Sequence, residues 1–345
     1  MGPLETAAWG AGTALKTAWY AAHYLHARRV SGPYVRPGDA PPAPKGGPVD
    51  MGLLRRAFFD VHGQDRANVA KGLYPAPAIG PELARLRAAP AYVRDLRALD
   101  ERRLAGRATE VRDMPESASF PAYYRQNFHW QSDGWLSEAS ASIYEFQVET
   151  IFTGAAAMRR TTALALMAEA MAGRDQRGMR HLELACGAGG FAAEIARAWP
   201  RLDLTALDLS PAYAARAARA LAGRSRARAV VGLAERLPFA DASLDVATCV
   251  YLFHELPPRV REAVTAEAAR VIRPGGVFIL ADALRRGDDP NLDRLLEAFP
   301  IGFHEPYFTS WLDLDVEALF AKAGFEPVGS RQAFLTRGLA FRRRG

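Results

Sequence analysis

Residues 181–190 read His181-Leu-Glu-Leu-Ala-Cys-Gly-Ala-Gly-Gly190, and Phe191-Ala-Ala-Glu-Ile-Ala-Arg-Ala-Trp199 follows. Short and apolar residues lead to Glu183 and a strand closes near Cys186. Gly187, Gly189 and Gly190 make a turn, and the next nine residues have the composition of a helix. A strand, a glycine turn and a helix form the phosphate- or nucleoside-binding corner of a doubly wound sheet. Glycine serves there because backbone without a Cβ can approach a ligand closely. A dinucleotide site would be spaced G-x-G-x-x-G, whereas this chain has Glu183-x-x-x-Gly187-x-Gly189-Gly190.

The following ninety residues repeat the pattern. Leu202–Leu207 alternates and is β-prone, and Asp208 closes it, where a carboxylate can accept from both hydroxyls of a ribose. Ser210 and Pro211 are an N-cap and a first helical residue. Arg228–Val231 is a third strand, Gly232-Leu-Ala-Glu-Arg-Leu-Pro-Phe239 a loop, and Ser243–Val250 a fourth strand leading to Tyr251-Leu-Phe-His-Glu-Leu256. Arg270-Val-Ile-Arg-Pro-Gly-Gly276 precedes a fifth strand, Val277–Ala281. In this order and spacing, residues 178–345 resemble the class I S-adenosylmethionine (SAM) methyltransferases. The turn at 183–190 is similar to their motif I, 232–239 to the adenine-side G-D-A-x-x-L-P-F loop, and 270–276 to the R-V-L-x-P-G-G turn. The catalytic half is similar to the ubiquinone/menaquinone C-methyltransferase type.

The resemblance implies an α/β fold, a Rossmann-like, seven-stranded, doubly wound sheet, with an α-helical N-terminal extension. It implies SAM as cofactor, bordered by Glu183, Ala185, Gly187, Gly189, Asp208, Leu209, Ala234, Glu235 and Tyr251. The chain departs from the family at Leu233, where the adenine loop usually has Asp, so adenine must be held by backbone, by Glu235 or by packing.

The extension divides by composition. Residues 1–30 contain an amphipathic helix with Leu4, Ala8, Ala11, Leu15, Ala18, Ala22 and Leu25 on one stripe, expected to pack on the protein's own core. Lys16 and His23 argue against a spanning segment, and the basic pair Arg28-Arg29 is at the wrong end for a signal peptide. A helix lying peripherally on a membrane surface is the alternative. Residues 31–49 are a Pro/Gly-rich linker, with six prolines within 31–48, a density that prevents helix. Residues 50–172 form a helical extension with an aromatic segment. Positions 120–144 hold seven aromatics, Phe120, Tyr123, Tyr124, Phe128, Trp130, Trp135 and Tyr144, interleaved with Arg125, Gln126, Asn127, His129, Gln131 and Asp133. Apolar faces with a few convergent polar heads suit a pocket wall. The competing reading is an aromatic cluster joining the extension to the catalytic domain. Residues 283–312 are an insertion after the fifth strand, lid-like by resemblance.

Methyl transfer from a sulfonium is an in-line displacement, so the protein's main task is alignment. A base is needed only if the acceptor must lose a proton. His254, at the carboxyl edge after the fourth strand, is the first candidate, and His129 the second. Tyr123, Tyr124, Trp130 and His304 are expected to wall the acceptor pocket. No metal site is expected: Cys186 and Cys249 fall in core strands and read as small buried apolar residues. Two cysteines make no disulfide framework, which fits the cytoplasm.

The formal net charge is +6, but lysine occurs only at 16, 45, 71 and 322 and the arginines are dispersed, which reads as a solvated surface and not a nucleic-acid footprint. The N/D-P-P-Y/F signature of many nitrogen methylators is absent after the fourth strand. The expected function is methyl transfer to a small-molecule acceptor. The alternatives are a SAM-binding accessory or regulatory protein without turnover, and an RNA or protein methyltransferase.

Overall fold

The computed structural model describes residues 3–31, 47–78 and 85–345. The proline-rich linker therefore lies outside the described residues except at its ends.

The sheet has seven strands in the order β3-β2-β1-β4-β5-β7-β6. They are β1 (Arg180–Leu184), β2 (Asp203–Asp208), β3 (Ala227–Val231), β4 (Leu244–Val250), β5 (Ile272–Ala283), β6 (Phe325–Ala333) and β7 (Thr336–Arg343). The first five run parallel, and β7 returns antiparallel between β5 and β6. β1 lies between β2 and β4, so the order of strands reverses there and opens a crevice at their carboxyl ends. Strand β5 begins earlier than its sequence suggests, because Ile272 already pairs with Leu244 and the Pro274-Gly275-Gly276 stretch continues within it.

Both faces of the sheet are covered. Leu182, Leu184, Phe278 and Leu280 belong to one apolar cluster, and Leu204, Ala206, Val246 and Ile279 to the other. Two polar residues of β1 are buried with the second set. His181 Nε2 is 3.1 Å from Thr248 Oγ1, and burial pushes the imidazole down to about 3, so it stays neutral. Glu183 is buried and its carboxyl is pushed well above the usual range by desolvation.

The extension comprises α1 (Pro3–Val30), α2 (Met51–Ala70), α3 (Ala89–Ala105), α4 (Glu138–Phe152) and α5 (Ala155–Arg159). Ser137 caps α4 by accepting from Ser140 N–H. Helix α5 passes through a π-turn, Arg160–Leu164, into α6 (Ala165–Ala170). The face by which α1 docks is not the predicted stripe. Tyr20 is fully buried against Phe146 and the Lys16 ammonium sits 3.2 Å from Glu149, whereas Leu15 and Leu25 are 73% and 55% exposed. The stripe Ala8, Ala11, Leu15, Ala18, Ala22, Leu25 is the exposed one. An aromatic and the aliphatic stem of a lysine bury more apolar surface than an alanine row. Among the described residues, no helix is long and apolar enough to cross a membrane.

The remaining helices are α7 (Gly190–Ala198), α8 (Pro211–Ala220), α9 (Pro258–Val271), α10 (Asp293–Gly302), α11 (Phe308–Leu312) and α12 (Val316–Lys322). Helices α10 and α11 belong to the insertion after β5.

Candidate active site

At the carboxyl edge of β1, β2 and β4 lies a cleft. Ala185, Gly187, Asp208, Leu209, Ala234, Glu235 and Tyr251 line it, seven of the nine residues expected to border the cofactor. Glu183 and Gly189 do not. Glu183 is buried within β1. Gly189 (φ +84°) answers to packing: a Cβ there would stand 2.6 Å from Ala217 Cα, in the backbone of α8. The glycine that faces the cleft is Gly187 (φ +55°), where an added Cβ would meet the Tyr144 ring at 3.5 Å.

Asp208 is fixed by backbone donors. Its Oδ2 accepts from Gly187 N–H at 2.8 Å and its Oδ1 from Ser210 N–H at 2.9 Å. Each oxygen keeps a further lone pair for a ligand hydroxyl. Burial pushes this carboxyl up to about 6, against the lowering effect of the Ser210, Gly187 and Leu209 amides. Opposite it, the Tyr123 hydroxyl donates to Glu235 Oε1 at 2.8 Å, closing the cleft on the side of Leu233. Burial and the Glu235 charge raise that phenol further. Tyr124, Phe128, Trp135, Tyr144 and Tyr213 supply the rest of an aromatic wall.

A second cavity shares Tyr144, Tyr251 and Glu255 with the first. Its walls are Val148 and Phe152 of α4, Met158 of α5, Leu295, Leu296 and Phe299 of α10, Phe308 of α11, and Leu335, with His129, His254, Glu255 and Thr336 as the polar members. His254 Nδ1 stands 2.5 Å from Asp282 Oδ1. Burial alone would lower its imidazole, but the Asp282 charge and hydrogen bond, with Glu305 and Glu255 behind them, prevail and bring it up to about 9. The Glu255 carboxyl is pushed well above the usual range by burial and by the charge of Glu305.

His129 and His254 therefore meet at the second cavity, although one comes from the extension and the other from the loop after β4. Tyr123 and Tyr124 stand in the cofactor cleft instead of the second cavity. Trp130 and His304 line neither: they lie against each other, and His304 Nε2 is 3.1 Å from Gln126 Oε1. Sequence reasoning missed Tyr144, Glu255 and the apolar walls of α10. The signal for Tyr144 was its place in the aromatic run. Leu295, Leu296 and Phe299 carried none, since apolar spacing on a short helix reads equally well as core.

A family model described as a methyltransferase domain matches residues 182–276. An uncharacterized methyltransferase of a Synechocystis species is 31% identical over 153 residues, 44% of this chain and 68% of that protein. The chain belongs to the class I SAM-dependent methyltransferases. A fatty-acid O-methyltransferase of Mycolicibacterium smegmatis is 39% identical over 129 residues, 37% of this chain and 45% of that protein. A probable phthiotriol/phenolphthiotriol dimycocerosates methyltransferase of Mycobacterium ulcerans is 41% identical over 112 residues, 31% of this chain and 41% of that protein. The chain thus spans less than half the length of these last two relatives. Among solved structures, the PH0226 protein of Pyrococcus horikoshii OT3 is 20% identical, with a TM-score of 0.43 over 54% of this chain and 90% of that one. In this methyltransferase the cleft suits SAM: Gly187 leaves room that a Cβ would fill, a buried carboxylate stands at the end of β2, and π faces suit a sulfonium.

Proposed function

We propose that this methyltransferase transfers a methyl group to an oxygen of a long-chain lipid acceptor. The observation that carries the reading is the second cavity, which is lined mostly by apolar side chains and joins the cofactor cleft at Tyr144, Tyr251 and Glu255. In this reading an acyl or alkyl chain would lie against Val148, Phe152, Leu296 and Phe299, with its head group toward Glu255, His129 and His254. The names of the fatty-acid and phthiotriol relatives agree with an acceptor of this class.

Bound SAM supplies a methyl carbon already activated by the positive sulfur. Asp208 and Glu235 hold the nucleoside end, and Gly187 lets backbone approach it. His254, oriented through Nδ1 by Asp282, presents Nε2 to the acceptor oxygen. Tyr144 and Tyr251 line both cavities where they meet, which is the point of transfer in this reading. Helix α10 acts as a lid over the acceptor. Holding the reacting groups in line is worth up to about 7–11 kcal/mol in ideal cases.

The test is incubation of the purified chain with methyl-labelled SAM and long-chain acids and alcohols. Label that extracts into organic solvent supports the reading. Label found only in RNA or protein fractions, or no transfer to any acceptor despite SAM binding, would reject it in favour of a macromolecular target or an accessory role.

A second observation favours a membrane-peripheral position: Leu15, Trp19, Leu25 and Val30 are exposed on α1. Such a helix can lie at a lipid interface. Cosedimentation with anionic vesicles, lost in Leu15→Glu/Leu25→Glu, is the expected result; equal sedimentation of both proteins would contradict it.

A further inference from the structure

Behind the junction of the two cavities, three residues from three distant parts of the chain bring ligand atoms together. His129 comes from the extension, Glu255 from the loop after β4 and Glu305 from the insertion. One nitrogen and two carboxylate oxygens lie within 4.8 Å of one another. The side chains of His129 and Glu305 are 8% and 0% exposed. His129 Nε2 is 2.5 Å from Glu305 Oε1, yet both ring nitrogens of His129 and both carboxylate oxygens of Glu305 lack a hydrogen-bond partner. Leaving a buried charged group unsatisfied is expensive, so such an arrangement calls for an explanation. Glu255 is partly satisfied, since the Trp135 indole N–H bears on it and His254 Nε2 is 3.9 Å away.

The backbone is strained at the same place. His129 and Trp130 both adopt left-handed conformations, with φ of 53° and 57°. Non-glycine residues in that region persist only where their surroundings hold them, and they concentrate at functional sites. The strained turn is tied to the insertion, because His129 N–H donates to the His304 carbonyl at 3.3 Å. The His129 side chain on this turn is buried against Glu305.

We propose that His129, Glu255 and Glu305 bind one divalent transition-metal cation, such as Mn²⁺, and that this cation seats the head group of the acceptor. An imidazole with two carboxylates suits a first-row cation better than Mg²⁺ or Ca²⁺, which prefer all-oxygen surroundings. Three protein ligands leave coordination positions open. His129 and Glu255 line the acceptor cavity, so those positions face it, and Glu255 also borders the cofactor cleft. The part of the cation is to fix the acceptor oxygen and favour its ionised form. With a hydroxyl acceptor the O–H bond breaks heterolytically, the electron pair stays on oxygen, and the proton passes to water. A carboxylate acceptor arrives ionised and is only positioned. The inference departs from the sequence reading, which expected no metal, and it rests on the proposed oxygen acceptor for its catalytic meaning but not for its ligands.

The experiment uses the full chain, stripped with EDTA and titrated with MnCl₂ while free Mn²⁺ is followed by electron paramagnetic resonance. One Mn²⁺ is expected to bind per chain. His129→Ala and the near-isosteric Glu305→Gln should each weaken it by about tenfold or more, while SAM affinity by calorimetry stays within about fivefold. The SAM titration also shows that the variants are folded. The wild-type chain needs no variant for a second readout: its melting temperature should rise with Mn²⁺, as binding to the folded state alone requires. Absence of Mn²⁺ binding to the wild type overturns the proposal and leaves a buried ion pair. Binding that survives both substitutions also overturns it, as adventitious. Lipid methylation that continues undiminished in EDTA, with no Mn²⁺ bound, removes the cation while the proposed function stands. Mn²⁺ bound as expected with no lipid methylated keeps the site and rejects the acceptor.

Discussion

The cofactor cleft and the acceptor cavity adjoin, yet they are built in opposite ways. The floor and the polar groups of the cleft come from one continuous run, β1 through the loop after β4, with aromatic rings of the extension closing over it, and its carboxylate Asp208 is held by backbone amides. The second cavity is assembled from His129, α4 and α5 of the extension, the loop after β4, the insertion and the turn before β7, and His129 in its wall is buried against Glu305. A site formed by one local corner can be read from spacing. A site formed where three distant segments meet cannot, because none of those segments carries the pattern alone.

The most damaging test of this contrast is Gly189→Val. The side chain would collide with α8 at a left-handed position, so the expected loss is of fold stability, about 3–5 kcal/mol from overpacking and backbone strain together. A urea melt measures it. A stable Gly189→Val protein that merely loses SAM would return this glycine to the cofactor.

Asp208→Ala comes next. Loss of hydrogen bonds to a charged acceptor costs roughly 1.5–3 kcal/mol, or about 10–150-fold in SAM affinity by calorimetry. Unchanged affinity in a folded variant would refute the ribose role. The same carboxyl gives a pH dependence. Its folded value, about 6, lies above its ordinary one, so its own contribution to stability is greatest in acid and is lost as pH rises through about 6. SAM binding needs the ionised form and runs the other way: affinity should be flat above pH 7 and fall by up to about tenfold per unit below 6.

On the acceptor side, Leu296→Trp narrows the lipid cavity from the lid. Acceptor kcat/KM should drop about tenfold, roughly 1.4 kcal/mol, with SAM affinity changed less than about twofold. A parallel loss of SAM binding would mean that the two cavities are one site. The smallest effect belongs to Tyr123→Phe, which removes one hydrogen bond to Glu235 and should weaken SAM by about two- to tenfold, near 0.5–1.5 kcal/mol. A change in acceptor KM alone would move Tyr123 back to the acceptor wall.

The sheet, its turns and the cleft at its carboxyl edge were legible because strand ends, Ser210 as a cap and Asp208 are local signals. The role of Gly189 was not, since its reason is Ala217 on another helix. The docking face of α1 was misread for a related cause: the alanine stripe is regular, but Tyr20 and Lys16 find partners in α4 that only the tertiary fold supplies. His129 and His254 were legible as chemically capable residues, whereas Glu305 had no reason to stand out in sequence.

The central claim is that the apolar cavity beyond Tyr144 and Tyr251 takes a lipid chain whose oxygen receives the methyl group. The most direct measurement is the fate of label from methyl-labelled SAM given to the full chain with a mixed lipid, RNA and protein extract. The account predicts label in the organic phase, as an ether or ester stable to protease and nuclease, and less of it with Leu296→Trp. Label confined to the RNA or protein fraction, with Leu296→Trp as active as the wild type, would contradict it.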